Sequence, residues 1–323
     1  MAIGWEFTLA VIGIKLEDKI IMKLETEQLL GTLEILLDPF DLAFVWETEE
    51  QGEFNVWNLA IAQGFVSLTD VEVAIEHWQA VERWGTPTDQ TGGEYAPLRN
   101  ERKDGWNAEI EAKRLASYQQ LSQLLQAQLR DLQAFKLSIP EKLSDSWEWQ
   151  HPDYCFYVLI GQTADENWLC LLPTVPDQVT YNGLNQLRRR NQIKSPDTES
   201  SELLSRIKMI LDELPPIAIY GYYHGGYNYS YQHEIVRAVS QEKAIAIELA
   251  LQSAGMLQEE VENPYSRNDC NSKKRQEFFN TNFDDKVVYT LSFWDIGCTY
   301  EIGEAPTGDW LGVRSFLEFE YNP

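Results

Sequence analysis

Positive charge is scarce in this sequence. Its 323 residues hold 51 Asp and Glu against 26 Lys and Arg, a formal net charge of −25. Across residues 24–82 thirteen carboxylates occur with no Lys or Arg at all. Such a chain repels phosphate backbones and anionic lipid headgroups. That argues against direct binding to nucleic acid or membrane and for a basic protein partner. On charge alone a generically acidic, solvated surface is the plainer reading, but so long a cation-free run weakens it.

The groups that carry catalysis or metal chemistry are also sparse. Cys155, Cys170, Cys270 and Cys298 form no C-x-x-C pair and no zinc spacing, so they read as reduced thiols. The four histidines, His77, His151, His224 and His233, make no H-x-x-x-H and pair with no cysteine at metal spacing. There is no G-x-S-x-G, no G-x-x-x-x-G-K-[ST] and no G-x-G-x-x-G. His224-Gly225-Gly226 therefore reads as a hairpin turn rather than an oxyanion loop, and Asp165-Glu166 as a solvated loop tip. The expectation is a non-enzyme with no catalytic residues, no cofactor and no metal. Residues 1–21 contain an apolar run, yet they lack a basic n-region and a small-residue cleavage site, and Glu6 interrupts them early. They read as an N-terminal extension, either an extra edge strand or a misassigned start, and not as a secretory signal or a membrane span. The expected compartment is the cytoplasm.

What the chain does have is core-forming material: 44% hydrophobic residues, with 11 Trp, 15 Tyr and 13 Phe. Its length suits two ordinary domains. Residues 24–37 and 71–84 read as amphipathic helices, with a strand at residues 42–46 and an acidic hairpin turn at 49–52 between them. A long helix is expected from Glu109 to Pro140, because Leu115, Tyr118, Leu121, Leu125, Leu129 and Leu132 recur at three- and four-residue steps. Strands follow at residues 147–149, 154–160 and 167–175. The second half repeats the order. A helix is expected after Asp197 or Thr198, with Leu203, Ile207, Ile210, Leu211 and Leu214 on one face. A tyrosine-rich hairpin turns about Gly225-Gly226, and a helix covers 242–257. A polar loop runs through Lys274, and strands lie at 287–294, 299–302 and 310–319.

One phrase is written twice. "IGQTADENWLCL" from Ile160 and "IGEAPTGDWLGV" from Ile302 share Ile-Gly and, eight residues on, Trp-Leu. Each reads as the last hairpin of its half, the Gly letting the chain leave the strand and Trp-Leu returning to the core. This points to a duplication: a first domain over residues 22–180, a polar and basic connector over 181–197 containing "RRRNQIK", and a second domain over 198–323.

The closing stretch "YEIGEAPTGDWLGVRSF", with the preceding "VVYTLSFWD", resembles the nuclease A inhibitor family of cyanobacterial proteins. Ile302, Gly303, Glu304, Pro306, Gly308 and Gly312 match the family's closing hairpin. The first copy keeps Ile160 and Gly161 but has Gln162, Ala164 and Glu166 in place of Glu, Pro and Gly. The long helix before the first copy and "LEILLDPFDLAFVWE" are also similar to that family. The resemblance implies an α/β (α+β) fold of two tandem three-layer α/β/α sandwich domains with mainly antiparallel sheets. It also implies a protein-binding inhibitor that docks on a sugar-nonspecific, metal-dependent nuclease. A nuclease site is a basic cleft holding a divalent cation, which an acidic protein can occupy in competition with phosphates.

The expected partner-binding face combines Asp38, Asp41, Glu47, Glu49, Glu50 and Glu53 for charge with Trp46 and Trp57 as apolar anchors. Glu304, Asp309 and Trp310 mark the corresponding edge of the second domain. Two other readings stay open: an assembly factor that keeps the fold without inhibition, and a toxin-immunity protein. The run "IYGYYHGGYNYSY" fits a protein-contact surface better than a base-stacking platform, since no Lys or Arg lies within it.

Overall fold

The computed structural model describes residues 24–39, 41–84, 108–140, 155–174, 198–214, 219–223, 227–231, 235–260, 270–293 and 296–318. They form mixed α/β structure around two antiparallel five-stranded sheets and one two-stranded hairpin. In chain order the elements are helix α1 (24–34), β1 (Asp41–Trp46), α2 (Thr48–Gln51), α3 (Val56–Ala62), β2 (Val66–Thr69), α4 (Val71–Trp84), α5 (Ala108–Gln128), β3 (Arg130–Ser138), β4 (Cys155–Gln162) and β5 (Trp168–Pro173). There follow α6 (Thr198–Asp212), β6 (Ile219–Tyr223), β7 (Tyr227–Tyr231), β8 (Ile235–Ser240), α7 (Lys243–Ser253), β9 (Leu257–Glu260), α8 (Cys270–Asn282), β10 (Lys286–Phe293), β11 (Ile296–Glu304) and β12 (Trp310–Glu318).

The two halves of the chain share details of local geometry. Helices α3 and α7 end alike: Phe65 N–H donates to Ala60 O and Gly64 N–H to Ile61 O, while Met256 N–H donates to Leu251 O and Gly255 N–H to Gln252 O. Both ends place glycine in the left-handed region, Gly64 at φ 81° and Gly255 at φ 76°, the geometry of a Schellman cap. The two quoted hairpins also share one turn. Thr163 N–H donates to Asn167 O and Glu166 N–H to Thr163 O; Ala305 N–H donates to Asp309 O and Gly308 N–H to Ala305 O. Glu166 (φ 64°) and Gly308 (φ 84°) occupy the same left-handed position. The shared Ile-Gly has a packing reason as well. A Cβ on Gly161 would stand 2.9 Å from Leu129, just after α5, and one on Gly303 only 2.4 Å from Phe283, just after α8.

Each sheet takes four strands from one half of the chain and its fifth from the other. Their orders are β2-β3-β4-β5-β8 and β9-β10-β11-β12-β1. Strand β1 pairs antiparallel with β12 from Asp41↔Ser315 to Trp46↔Trp310, and β8 pairs with β5 from Trp168↔Ser240 to Pro173↔Ile235. The compact units follow this exchange. One gathers described residues within Met1–Phe54, Glu259–Thr290 and Cys298–Phe316; the other gathers those within Asn55–Gln258, Leu291–Gly297 and Leu317–Pro323. The partition differs from the expected linear domains 22–180 and 198–323. Strands adjacent in a sheet need not be adjacent in sequence, and here α1 and β1 serve the sheet of the second half, while α6 and β8 serve that of the first.

In the first unit, Leu33 of α1, Phe278 and Phe279 of α8, Phe283, Leu311 and Val313 form one buried cluster. In the second unit, Ala74, Ile75 and Trp78 of α4, Leu121 and Leu125 of α5 and Ile207 and Ile210 of α6 pack on alternate residues of the sheet, including Ala134, Tyr157, Leu159, Leu169 and Leu171. The intervening residues point the other way: Trp57 of α3 meets Phe135 edge-on at 5.2 Å between ring centroids, and α7 contacts β5 and β8. Strand β4 is buried along nearly all its length, as a central strand must be.

Three local expectations are corrected. The long helix stops at Gln128, and residues 130–138 are strand β3, with a register shift between Arg130 and Gln133 and Asp131 at φ 48°. Leu132 fits a helical step from Leu129, but the chain turns at Leu129 and continues with strand alternation. The expected turn at 49–52 is the short helix α2, because β1 pairs with β12 and has no return strand beside it. The expected polar loop through Lys274 is helical, Lys274 lying in α8. The strand expected at 147–149 and the connector at 181–197 lie outside the described residues.

Candidate functional site

The structure sorts the eleven expected contact residues into three groups. The first group is not available at all. Trp46 is 2% exposed and Trp57 5%, each in a core, and Trp57 belongs to the second unit. They are corrected from anchors to packing residues. The Trp46 indole N–H donates to Gly52 O at 2.9 Å and closes the loop that carries α2.

Asp38 and Asp41 form the second group. Arg275, reaching from α8, lies 2.6 Å from Asp41 and 3.7 Å from Asp38, and its Nε lies 3.5 Å from Glu301. Its side chain is 5% exposed. Ser315 Oγ donates to the other oxygen of Asp41 at 2.6 Å. Part of the basic cluster from Lys273 therefore folds back on these two carboxylates, which hold the first unit together.

The third group forms one edge of the first unit. Glu49, Glu50, Glu53 and Glu304 are exposed and Glu47 is half-exposed. The loop bearing four of them is fixed by Asp309. Its carboxylate accepts the Thr48 N–H at 3.1 Å and the Thr26 hydroxyl at 3.0 Å, while Thr48 Oγ1 donates to Gly308 O at 2.6 Å. Thr307 Oγ1 completes the network, 3.2 Å from Asp309 and 3.1 Å from Thr26 Oγ1. The β11–β12 hairpin thus caps the N-terminus of α2 with a carboxylate from far away in sequence, where Glu47 makes no side-chain cap of its own. The same network holds the start of α1, so exposed Glu25 and Glu27 flank the loop. Asp309 is a positioning residue rather than a contact residue.

Beside these carboxylates lies an aromatic group that sequence reasoning only partly found. Phe54 stacks on Trp310 with centroids 4.7 Å apart and planes 25° apart, and Tyr289 lies 6.3 Å from Phe54. All three are half-buried. Phe54 and Tyr289 stand in an otherwise ordinary loop and strand; the β1–β12 pairing brings Trp310 to Phe54, and Tyr289 comes from β10, two strands away in the same sheet. Glu304 donates its N–H to Asp285 O at 3.1 Å, which places it next to exposed Asp284 and Asp285. The tyrosine-rich hairpin forms as read, Tyr223 opposite Tyr227.

Among the described residues no group of three or more His, Cys, Asp or Glu could hold a metal ion. Among them, too, no helix is long and apolar enough to cross a membrane. Comparison with protein families, with curated proteins and with solved structures finds no match to this chain.

Proposed function

We propose that this chain is a non-enzymatic, cytoplasmic inhibitor that docks the acidic edge of its first unit on a basic protein, most directly a sugar-nonspecific, metal-dependent nuclease. One observation carries this reading. The Asp309 network holds Glu47, Glu49, Glu50 and Glu53 on a fixed loop next to the half-buried Phe54–Trp310 stack. Carboxylates on a rigid support steer a cationic partner, and a partly desolvated aromatic pair beside them suits the centre of an interface. The fold belonging to this reading is a pair of three-layer α/β/α sandwiches, which the helices against both faces of the second unit's sheet support.

The test is inhibition of such a nuclease at low and at physiological salt. Wild-type protein should slow cleavage, and the triple variant Glu49→Lys, Glu50→Lys, Glu53→Lys should not. Glu202→Lys, an exposed acid on α6, should inhibit like wild type. Equal inhibition by the triple variant, or none by wild type, would refute the proposal. A second reading, an assembly factor without inhibitory activity, is favoured by one observation: Arg275 removes Asp38 and Asp41 from the docking charge.

A further inference from the structure

We propose that Cys155 and His77 form a thiol–imidazole pair that makes Cys155 a site of oxidation by hydrogen peroxide, independent of the acidic edge. The two residues are 78 positions apart in sequence, and the fold brings Cys155 Sγ to 3.6 Å from His77 Nε2. Cys155 opens β4, and His77 lies on the face of α4 that packs toward that strand, its ring 4.5 Å from the Tyr157 ring. An imidazole at this distance can take the thiol proton, and the adjacent aromatic ring favours the imidazolium that results.

The chemistry balances without a further reagent. The Sγ–H bond breaks and the proton passes to Nε2. The thiolate attacks one peroxide oxygen, an S–O bond forms and the O–O bond breaks. The departing hydroxide takes the proton from Nε2 and leaves as water. Sulfur is oxidised to sulfenic acid and peroxide is reduced. Peroxide suits the site because Cys155 is only 5% exposed: a small uncharged oxidant can enter where a bulky one cannot.

The fold supplies its own controls. Cys170 and Cys298 are also buried. Burial pushes the Cys298 thiol up to about 12, and Cys170 higher still, against the opposing pull of Arg314 and Lys243 respectively. Both therefore stay protonated near neutral pH, and the thiolate is the nucleophile.

The experiment exposes the full chain to hydrogen peroxide, quenches with catalase, unfolds the protein in dimedone and maps the adducts by mass spectrometry. Cys155 should carry the adduct at about a hundred times the level found at Cys170 or Cys298, and His77→Gln should lower it about a hundredfold, the low end of what a general base contributes. Adduct at Cys155 no greater than at the other two would overturn the proposal, as would a folded His77→Gln variant oxidised as fast as wild type. If that variant does not fold, the ranking of Cys155 against Cys170 and Cys298 in the wild-type chain decides alone.

Discussion

The Arg275 guanidinium lies 2.6 Å from the Asp41 carboxylate, joining α8 to the edge strand β1 across 234 residues of sequence. With only 5% of the Arg275 side chain exposed, water compensates little if either partner is removed. Arg275→Leu leaves the mostly buried Asp41 carboxylate without its cation and should cost about 3–5 kcal/mol, measured by urea unfolding. Asp38→Asn, 3.7 Å away with its side chain 24% exposed, should cost less than about 1 kcal/mol.

Asp309 should matter for the acidic edge through its position. Asp309→Ala removes the acceptor for Thr48 N–H and for the Thr26 hydroxyl. It should cost about 1.5–3 kcal/mol, the range for hydrogen bonds to a charged group. Hydrogen exchange at the Thr48 amide should accelerate more than exchange in β4. Unchanged protection at Thr48 would contradict the capping role.

The paired glycines give a graded prediction. Gly303→Ala places a Cβ 2.4 Å from the Phe283 ring and should cost about 1–3 kcal/mol by overpacking. Gly161→Ala meets Leu129 Cβ at 2.9 Å and should cost less, since the overlap is smaller. Thermal melts of the two variants check the order.

The repeated hairpin was legible because its determinants are local. Ile-Gly, the turn and Trp-Leu lie within eleven residues. The helix expected over 242–257, by contrast, stops at Ser253, because Gly255 takes a left-handed cap that the apolar run around it hides. The exchange of strands was not legible, because nothing in residues 41–46 says that their partner lies at 310–315 rather than nearby. Strands β2 and β9 have four residues each, too few for alternation to stand out. At the site, an acid's sequence neighbours showed no cation, and Arg275 arrives only through the fold. The same fold turns Asp309 inward and leaves Glu49 and Glu50 outside.

Cys298 predicts an alkaline limb. Burial raises its thiol from 9.0 to about 12 in the folded chain, with Arg314 opposing. The unfolded chain therefore loses this proton first, and stability is complete below pH 9 and falls toward pH 12. The slope from this one group approaches 1.4 kcal/mol per pH unit, about one pKa unit of differential proton binding. Cys298→Ala should flatten the fall of urea midpoint between about pH 9 and 10.5. Parallel profiles for variant and wild type would contradict it.

The most direct test of the architecture is to cut the chain between its halves. A specific protease site placed within residues 181–197 would separate β1 from β8 covalently while leaving every described strand intact. If each sheet holds a strand from the other half, the two fragments should co-elute as one particle with unchanged circular dichroism, and part only in denaturant. Fragments that separate on a native column and keep their structure would contradict the exchange.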